Sequence, residues 1–211
     1  MPDYNWDFDY ASGNFRHWEP NPSSPELAAL ITAGVIGKND KMLDVGCGGG
    51  LDAIFVAQCG FSVVGVDLSK KAIEIAKARE GKVHVKIDWL LGSIFDLPIE
   101  SQTIDFVMDR GLFHLIEDVN RAKYSSEVFR VLRPQGCVLI RAASKDTGRE
   151  RFNPVTDEAI DRFFPKSNWK RGPVVPIPLF SPAGVIDARI VILRKFAPTK
   201  NKPANSEPKI R

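Results

Sequence analysis

The chemistry most readily read from this chain lies between residues 44 and 50 and at residue 67. The run Met42-Leu43-Asp44-Val45-Gly46-Cys47-Gly48-Gly49-Gly50 ends a short apolar stretch in a glycine-rich turn. Glycines at 46, 48 and 50 let the backbone turn tightly and let a ligand come against it, at the carboxyl end of a strand where open α/β sheets bind their ligands. Leu51 stands where a dinucleotide fingerprint needs Gly or Ala, which argues against NAD or FAD. Asp67 lies 21 residues beyond Gly46, at the end of a β-branched run, where a carboxylate can accept both hydroxyls of a ribose. A nucleoside-containing cofactor follows. Asp44 adds a charge that would repel a pyrophosphate but attract an ammonium or a sulfonium.

These residues need a scaffold, and hydrophobic periodicity supplies one. Met42–Val45, Ser62–Val66, Val83–Trp89, Ile104–Met108 and Cys137–Ala142 read as strands. Between them, Leu51–Gln58, a helix capped by Ser69 that ends at Gly81, and Asp118–Leu132 have helical spacing. An earlier helix opens at Ser24-Pro25-Glu26 and runs to Gly37. This alternation predicts an α/β chain with a doubly wound, Rossmann-like, mostly parallel sheet of seven strands and helices on both faces. After a short helix at Asp157–Phe164, Val174–Phe180 and Ala188–Phe196 read as an antiparallel hairpin at the C-terminal edge.

Three regions are expected: an aromatic N-terminal lead-in at 1–22, one domain at 23–197, and a basic, proline-bearing tail at 198–211 that should be disordered. The chain has 211 residues with 29 Lys and Arg against 26 Asp and Glu. The tail alone holds Lys200, Lys202, Lys209 and Arg211 against Glu207, so the excess of +3 belongs to it and the folded part is neutral. No global field recruits a polyanion, and nucleic acid is not an expected partner. Cys47, Cys59 and Cys137 show no metal or disulfide spacing and read as reduced cytosolic thiols, with no metal site. No basic-then-apolar leader and no membrane-length apolar run appears, so a cytoplasmic protein is expected.

At the level of whole motifs the chain resembles a class I S-adenosylmethionine-dependent methyltransferase. LDVGCGGG followed by GVDLS is similar to that family's first two motifs, LLGSIFDLPIESQTIDFVMD at 90–109 to its third and fourth, and RVLRPQGCVLI to the segment that follows. The likeness spans roughly residues 25–196. It implies that Gly46, Cys47 and Gly48 lie against the methionine part of S-adenosyl-L-methionine, with Asp67 on the ribose and Leu68 beside the adenine. Ser93 and Ile94 would flank the adenine, and Asp109 would lie near the methionine. Many members have Asp where this chain has Ser93, and Asp96 is then a substitute reader of the adenine.

The acceptor is less legible, because displacement from a sulfonium needs alignment and exclusion of water more than dedicated catalytic groups. DRGLFHLI followed by NRAKYSSEVFRVLRP resembles the small-molecule branch that includes thiopurine, thiol and tellurite-resistance methyltransferases. FRHWEPNPSSPEL resembles that branch's aromatic lead-in, which implies that Trp18 contacts the cofactor unless it simply closes the core. In this reading Arg110 holds an anionic substrate group or else pairs with a neighbouring acid. His114 takes a proton from the acceptor or else is structural. A thiol would hardly need that base. The expected activity is methyl transfer to a small-molecule nucleophile, most simply a thiol. The alternatives are an oxygen, nitrogen or carbon acceptor, or a cofactor-binding module without catalysis. Oligomeric state, and whether residues 1–22 close as a lid, are not encoded legibly.

Overall fold

The computed structural model describes residues 4–19, 25–144, 152–181 and 184–197. The expected tail at 198–211 lies outside them. The described chain runs α1 (Trp6–Ser12), a 3-10 turn (Asn14–His17), α2 (Pro25–Thr32), β1 (Lys41–Val45), α3 (Leu51–Gln58), β2 (Ser62–Asp67) and α4 (Lys70–Glu80). It continues through β3 (Asp88–Leu91), β4 (Ile104–Arg110), a second 3-10 turn (Phe113–Leu115), α5 (Asp118–Val131) and β5 (Leu132–Ala143). The last elements are α6 (Asp157–Phe163), β6 (Trp169–Arg171), β7 (Val175–Ser181) and β8 (Gly184–Lys195).

The strands form one sheet in the order β3-β2-β1-β4-β5-β8-β6, with β7 also on β8. Strands β1 to β5 are parallel, and β8 returns antiparallel to β5. The expected antiparallel hairpin is present as β7 and β8. Seven strands were expected and eight form, because β6 and β7 share one edge of β8: β7 along Gly184–Ile190 and β6 along Leu193–Lys195. The sheet is therefore seven positions wide.

Alternation along the central strands sorts side chains into two cores. Leu43, Val45, Val107, Val138 and Ile140 face Tyr124, Val128 and Val131 of α5 and Ile160 and Phe163 of α6. Met42, Phe106, Met108 and Leu139 face Leu27 of α2 and Ala53, Ile54 and Val56 of α3. Burial on both faces explains the near-continuous apolar runs of these strands.

Several boundaries differ from the expected ones, among them the start of β8, which lies at Gly184 and not Ala188 because Gly184–Asp187 pair with β7. Helix α2 stops at Thr32 rather than Gly37, because Gly34 takes a left-handed conformation (φ +67°) and the Val35 amide turns back to the Leu30 carbonyl. The strand expected at Val83–Trp89 begins at Asp88, since only 88–91 pair with β2, while Val83 and Val85 pack loosely on the second core. Strand β5 starts at Leu132 instead of Cys137: Leu132 pairs with Ile104, and the register then skips to Phe106 with Cys137, past Gln135 at φ +69°. The lead-in has no sequence period yet forms α1 and a 3-10 turn packed against α4.

Candidate active site

Strands β1, β2 and β4 bring their carboxyl ends together, and the glycine turn rises from β1 between them. Gly46, Gly48 and Gly50 have φ of +64°, +54° and +77°, which L side chains rarely adopt. Space is also short: a Cβ on Gly50 would lie 2.4 Å from the Trp89 ring and 2.9 Å from Ala76, so the turn sits directly on α4 and β3.

Asp67, at the end of β2, is tied to this turn. Its Oδ2 accepts the Gly48 amide at 2.8 Å and its Oδ1 accepts the Ser69 amide at 2.8 Å. Each carboxylate oxygen keeps a further acceptor site, enough for two ribose hydroxyls. Burial raises the Asp67 pKa, while the two amides pull it back. Leu68, next along, is exposed, and Ile94 packs against the α5-side core. Ser93 Oγ accepts the Phe95 amide at 3.2 Å, and Ser93 forms an isolated bridge with Asp96, which is exposed. Helix α5 anchors the end of this loop: Glu127 Oε2 accepts the Leu97 amide at 2.8 Å, and Arg130 donates to the Leu97 and Ile99 carbonyls.

Asp44 lies buried on the α3 side of β1. Burial, with the Asp52 charge, raises its pKa well above the usual carboxylate range, and Arg110 opposes that. Arg110 is paired through Nε with Asp52 of the first turn of α3. The acidic surplus here suits a cationic ligand group. Cys47 is buried beside Gly48 with its thiol pushed up, first by burial and then by Asp44, so it is no nucleophile.

Two expected site residues lie in the core. Asp109 is fully buried and turned into the core: Oδ1 accepts the Leu112 and Phe113 amides at 3.0 and 3.1 Å, and Oδ2 accepts the Tyr124 hydroxyl at 2.6 Å. It fixes the turn after β4. That turn carries Leu112, whose Cδ1 lies 3.2 Å from where a Gly46 Cβ would stand. His114 is also buried, against Phe152, and its Nδ1 accepts the Ala143 amide at 3.3 Å. That contact engages one of the two ring nitrogens, Nδ1.

Trp18 stands at the outside of the lead-in, 42% exposed, edge-on to Trp6 and Tyr10. It does not close the core. The groups that reach the glycine turn are its neighbours, which sequence reasoning missed. Glu19 Oε1 accepts the Gly49 amide at 2.8 Å and the Tyr10 hydroxyl at 3.1 Å, and Arg79 Nη1 donates to Glu19 Oε2 and to the Gly49 carbonyl, each at 2.7 Å. Asp7 binds the Ser69 hydroxyl at 2.5 Å and the Lys71 amide at 3.0 Å at the start of α4. The local signal was a carboxylate next to the aromatic Trp18, in a segment with no period to say where it would fold.

Among the described residues, no group of three or more His, Cys, Asp or Glu side chains is arranged to hold a metal ion, and no helix is long and apolar enough to cross a membrane. Residues 42–136 match the family described as a methyltransferase domain. A ubiquinone biosynthesis O-methyltransferase of Pelagibacter ubique is 32% identical over 136 residues, covering 64% of this chain and 55% of that protein. A probable S-adenosylmethionine-dependent methyltransferase of Mycolicibacterium smegmatis is 30% identical over 123 residues, covering 58% and 44%. The chain thus spans about half the length of the curated relatives it matches. Among solved structures, the Burkholderia thailandensis 1,6-didemethyltoxoflavin-N1-methyltransferase, with S-adenosylhomocysteine bound, superposes with a TM-score of 0.73 at 18% identity over 90% of this chain and 85% of that one.

Proposed function

We propose, from the match of residues 42–136 to a methyltransferase domain, that this chain uses S-adenosylmethionine to transfer a methyl group to a small-molecule nucleophile. One observation carries the reading: the nearly buried Asp67 carboxylate is joined to the Gly48 amide, so the β1 turn and the end of β2 form a single notch with two acceptor sites left for a ribose. The residues fit the cofactor. Asp67 would hold the ribose, Leu68 and Ile94 would lie along the adenine with Ser93 or Asp96 at its edge, and Gly46 and Gly48 would face the methionine part. Asp44, whose ionisation burial and Asp52 oppose, would be favoured as the carboxylate by the ammonium and sulfonium of that group. Trp18, at the mouth of the lead-in, would cover it. When bound, S-adenosylmethionine supplies an activated methyl group on a sulfonium; the protein has to align the acceptor behind that carbon and keep water away.

We take the acceptor atom to be a thiol or a similarly soft atom. With His114 Nδ1 held by the Ala143 amide, the group best placed in the sequence to act as a base is occupied, and a thiol with a pKa of about 8.5 provides its own nucleophile near neutrality. A hydroxyl acceptor is the second reading, favoured by the names of relatives such as the Pelagibacter protein. Incubation with methyl-labelled cofactor and matched thiols, phenols and amines separates the two. Label on thiols alone supports the first and label on phenols the second. S-adenosylhomocysteine binding without turnover of any acceptor would leave a cofactor-binding module.

A further inference from the structure

Beyond the notch, β4 ends in Arg110 and β5 carries Arg141 two residues before its end, on the same face. Arg110 and Arg141 are partners in the parallel β4–β5 register, two residues past Met108 and Leu139, which face the α2–α3 core. Like charges on adjacent strands repel unless anions lie between or beside them. Two helices deliver such anions: Asp52 from the first turn of α3 pairs with Arg110 Nε, and Glu26 from the first turn of α2 accepts Arg141 Nη1 at 2.8 Å. The Arg141–Glu26 pair is not the parallel two-bond fork that a guanidinium and a carboxylate can make. Arg141 Nε and Glu26 Oε2 are both buried with no hydrogen-bond partner among the described residues. Burial and the Arg110 charge both lower the Arg141 pKa. A guanidinium nonetheless stays protonated and keeps its donors.

The site lies at the carboxyl ends of the strands, on the sheet end that carries the glycine turn and beside Asp44. Strand β8 runs on past the end of β5 there: Arg141 is in register with Ile190, Ala143 with Ala188, and the Ser144 amide donates to the Asp187 carbonyl at 2.9 Å.

We propose that Arg110 and Arg141 form a two-guanidinium clamp for an oxyanion of the methyl acceptor, with Asp52 and Glu26 as the stand-in anions that hold the clamp in shape, so that the acceptor is an anionic small molecule such as a carboxylate. This rests on the methyltransferase reading. Arg141 is the specificity-determining member: its guanidinium, with Nε–H unpartnered among the described residues, donates to the incoming oxyanion, and Glu26 competes for the same guanidinium.

Benzoate and its neutral isostere benzamide are suitable probes, titrated calorimetrically into the full chain with and without saturating S-adenosylhomocysteine. Benzoate should bind at least about tenfold more tightly than benzamide, the size of one charge-assisted hydrogen bond. Arg141→Gln should remove about that factor for benzoate and leave benzamide unchanged. Glu26→Gln, which keeps the clamp and removes its competitor, should tighten benzoate and so tests the idea even where the arginine variant folds poorly. Equal binding of benzoate and benzamide, or benzoate binding indifferent to both substitutions, overturns the clamp. Failure of the wild-type chain to bind S-adenosylhomocysteine overturns the methyltransferase reading instead, and the benzoate titration without it still decides the clamp.

Discussion

Asp67 and Gly48, 19 residues apart, are joined by a 2.8 Å hydrogen bond from the glycine amide to the carboxylate, and this bond couples the turn after β1 to the end of β2. The same carboxylate therefore shapes the notch and offers the ribose acceptors. Asp67→Ala should weaken S-adenosylhomocysteine binding by about 10- to 100-fold, given about 1.5–3 kcal/mol for hydrogen bonds to a charged group. Asp67→Asn, which keeps one carbonyl acceptor, should fall between. Unchanged affinity for the alanine variant in calorimetry would sink the ribose assignment.

The lead-in is expected to answer to the glycine turn. A Cβ on Gly48 would lie 2.4 Å from Tyr10 Oη and 2.5 Å from Glu19 Oε1, at φ +54°. Gly48→Ala should cost about 1–3 kcal/mol and release residues 4–19, seen as faster amide exchange in that segment. Glu19→Gln should produce the same loosening with a smaller loss of stability. The two substitutions should be less than additive, because both break the Tyr10–Glu19–Gly49 contact. If exchange in 4–19 is as slow in both variants as in the wild type, the lead-in is held by other contacts.

Asp109 sets a pH dependence. Burial lifts its carboxyl from the ordinary 3.8 to about 6, against the pull of the Tyr124 hydroxyl and the Leu112 and Phe113 amides. The fold thus holds this proton more tightly than the unfolded chain does. Its contribution to stability is fully present below pH about 4 and is lost as pH rises through 6, a change on the order of 3 kcal/mol. Asp109→Asn carries no titrating proton, so the denaturation midpoint of that variant should fall less than that of the wild type between pH 4 and pH 7. Parallel profiles for the two proteins would contradict the shift.

His114 separates the acceptor readings. With a thiol acceptor, His114→Ala should lower stability, through loss of the Phe152 and Ala143 contacts, yet change turnover only a few-fold and leave its pH profile in place. If the ring is a general base for a hydroxyl, turnover should drop by about 10²–10⁴.

Much of the frame was legible from local pattern. Ser69 caps α4 through Ala72, Thr156 caps α6 through Ala159, and the central strands are apolar runs because both their faces are covered. Less legible were features settled by a partner far along the chain. Helix α1 has no amphipathic period of its own; it is held by Asp7 on Ser69 and Lys71 and by Tyr10 and Glu19 at the glycine turn. Asp109 and His114 sit in a motif whose composition looks like a site, but their orientation follows from the packing of Tyr124 and Ala143 behind them.

By itself the sequence determined the sheet, the glycine turn and the carboxylate at the end of β2. Each depends on short-range physics: periodic burial, positive φ, and the spacing of one strand-helix-strand unit. Only the tertiary structure decided which charges meet. Glu26 and Arg141 are 115 residues apart, and Asp52 reaches Arg110 from another element, so no local period records either pair. Coulomb attraction acts through space, and only the sheet order that sets β1, β4 and β5 side by side gives these side chains their neighbours.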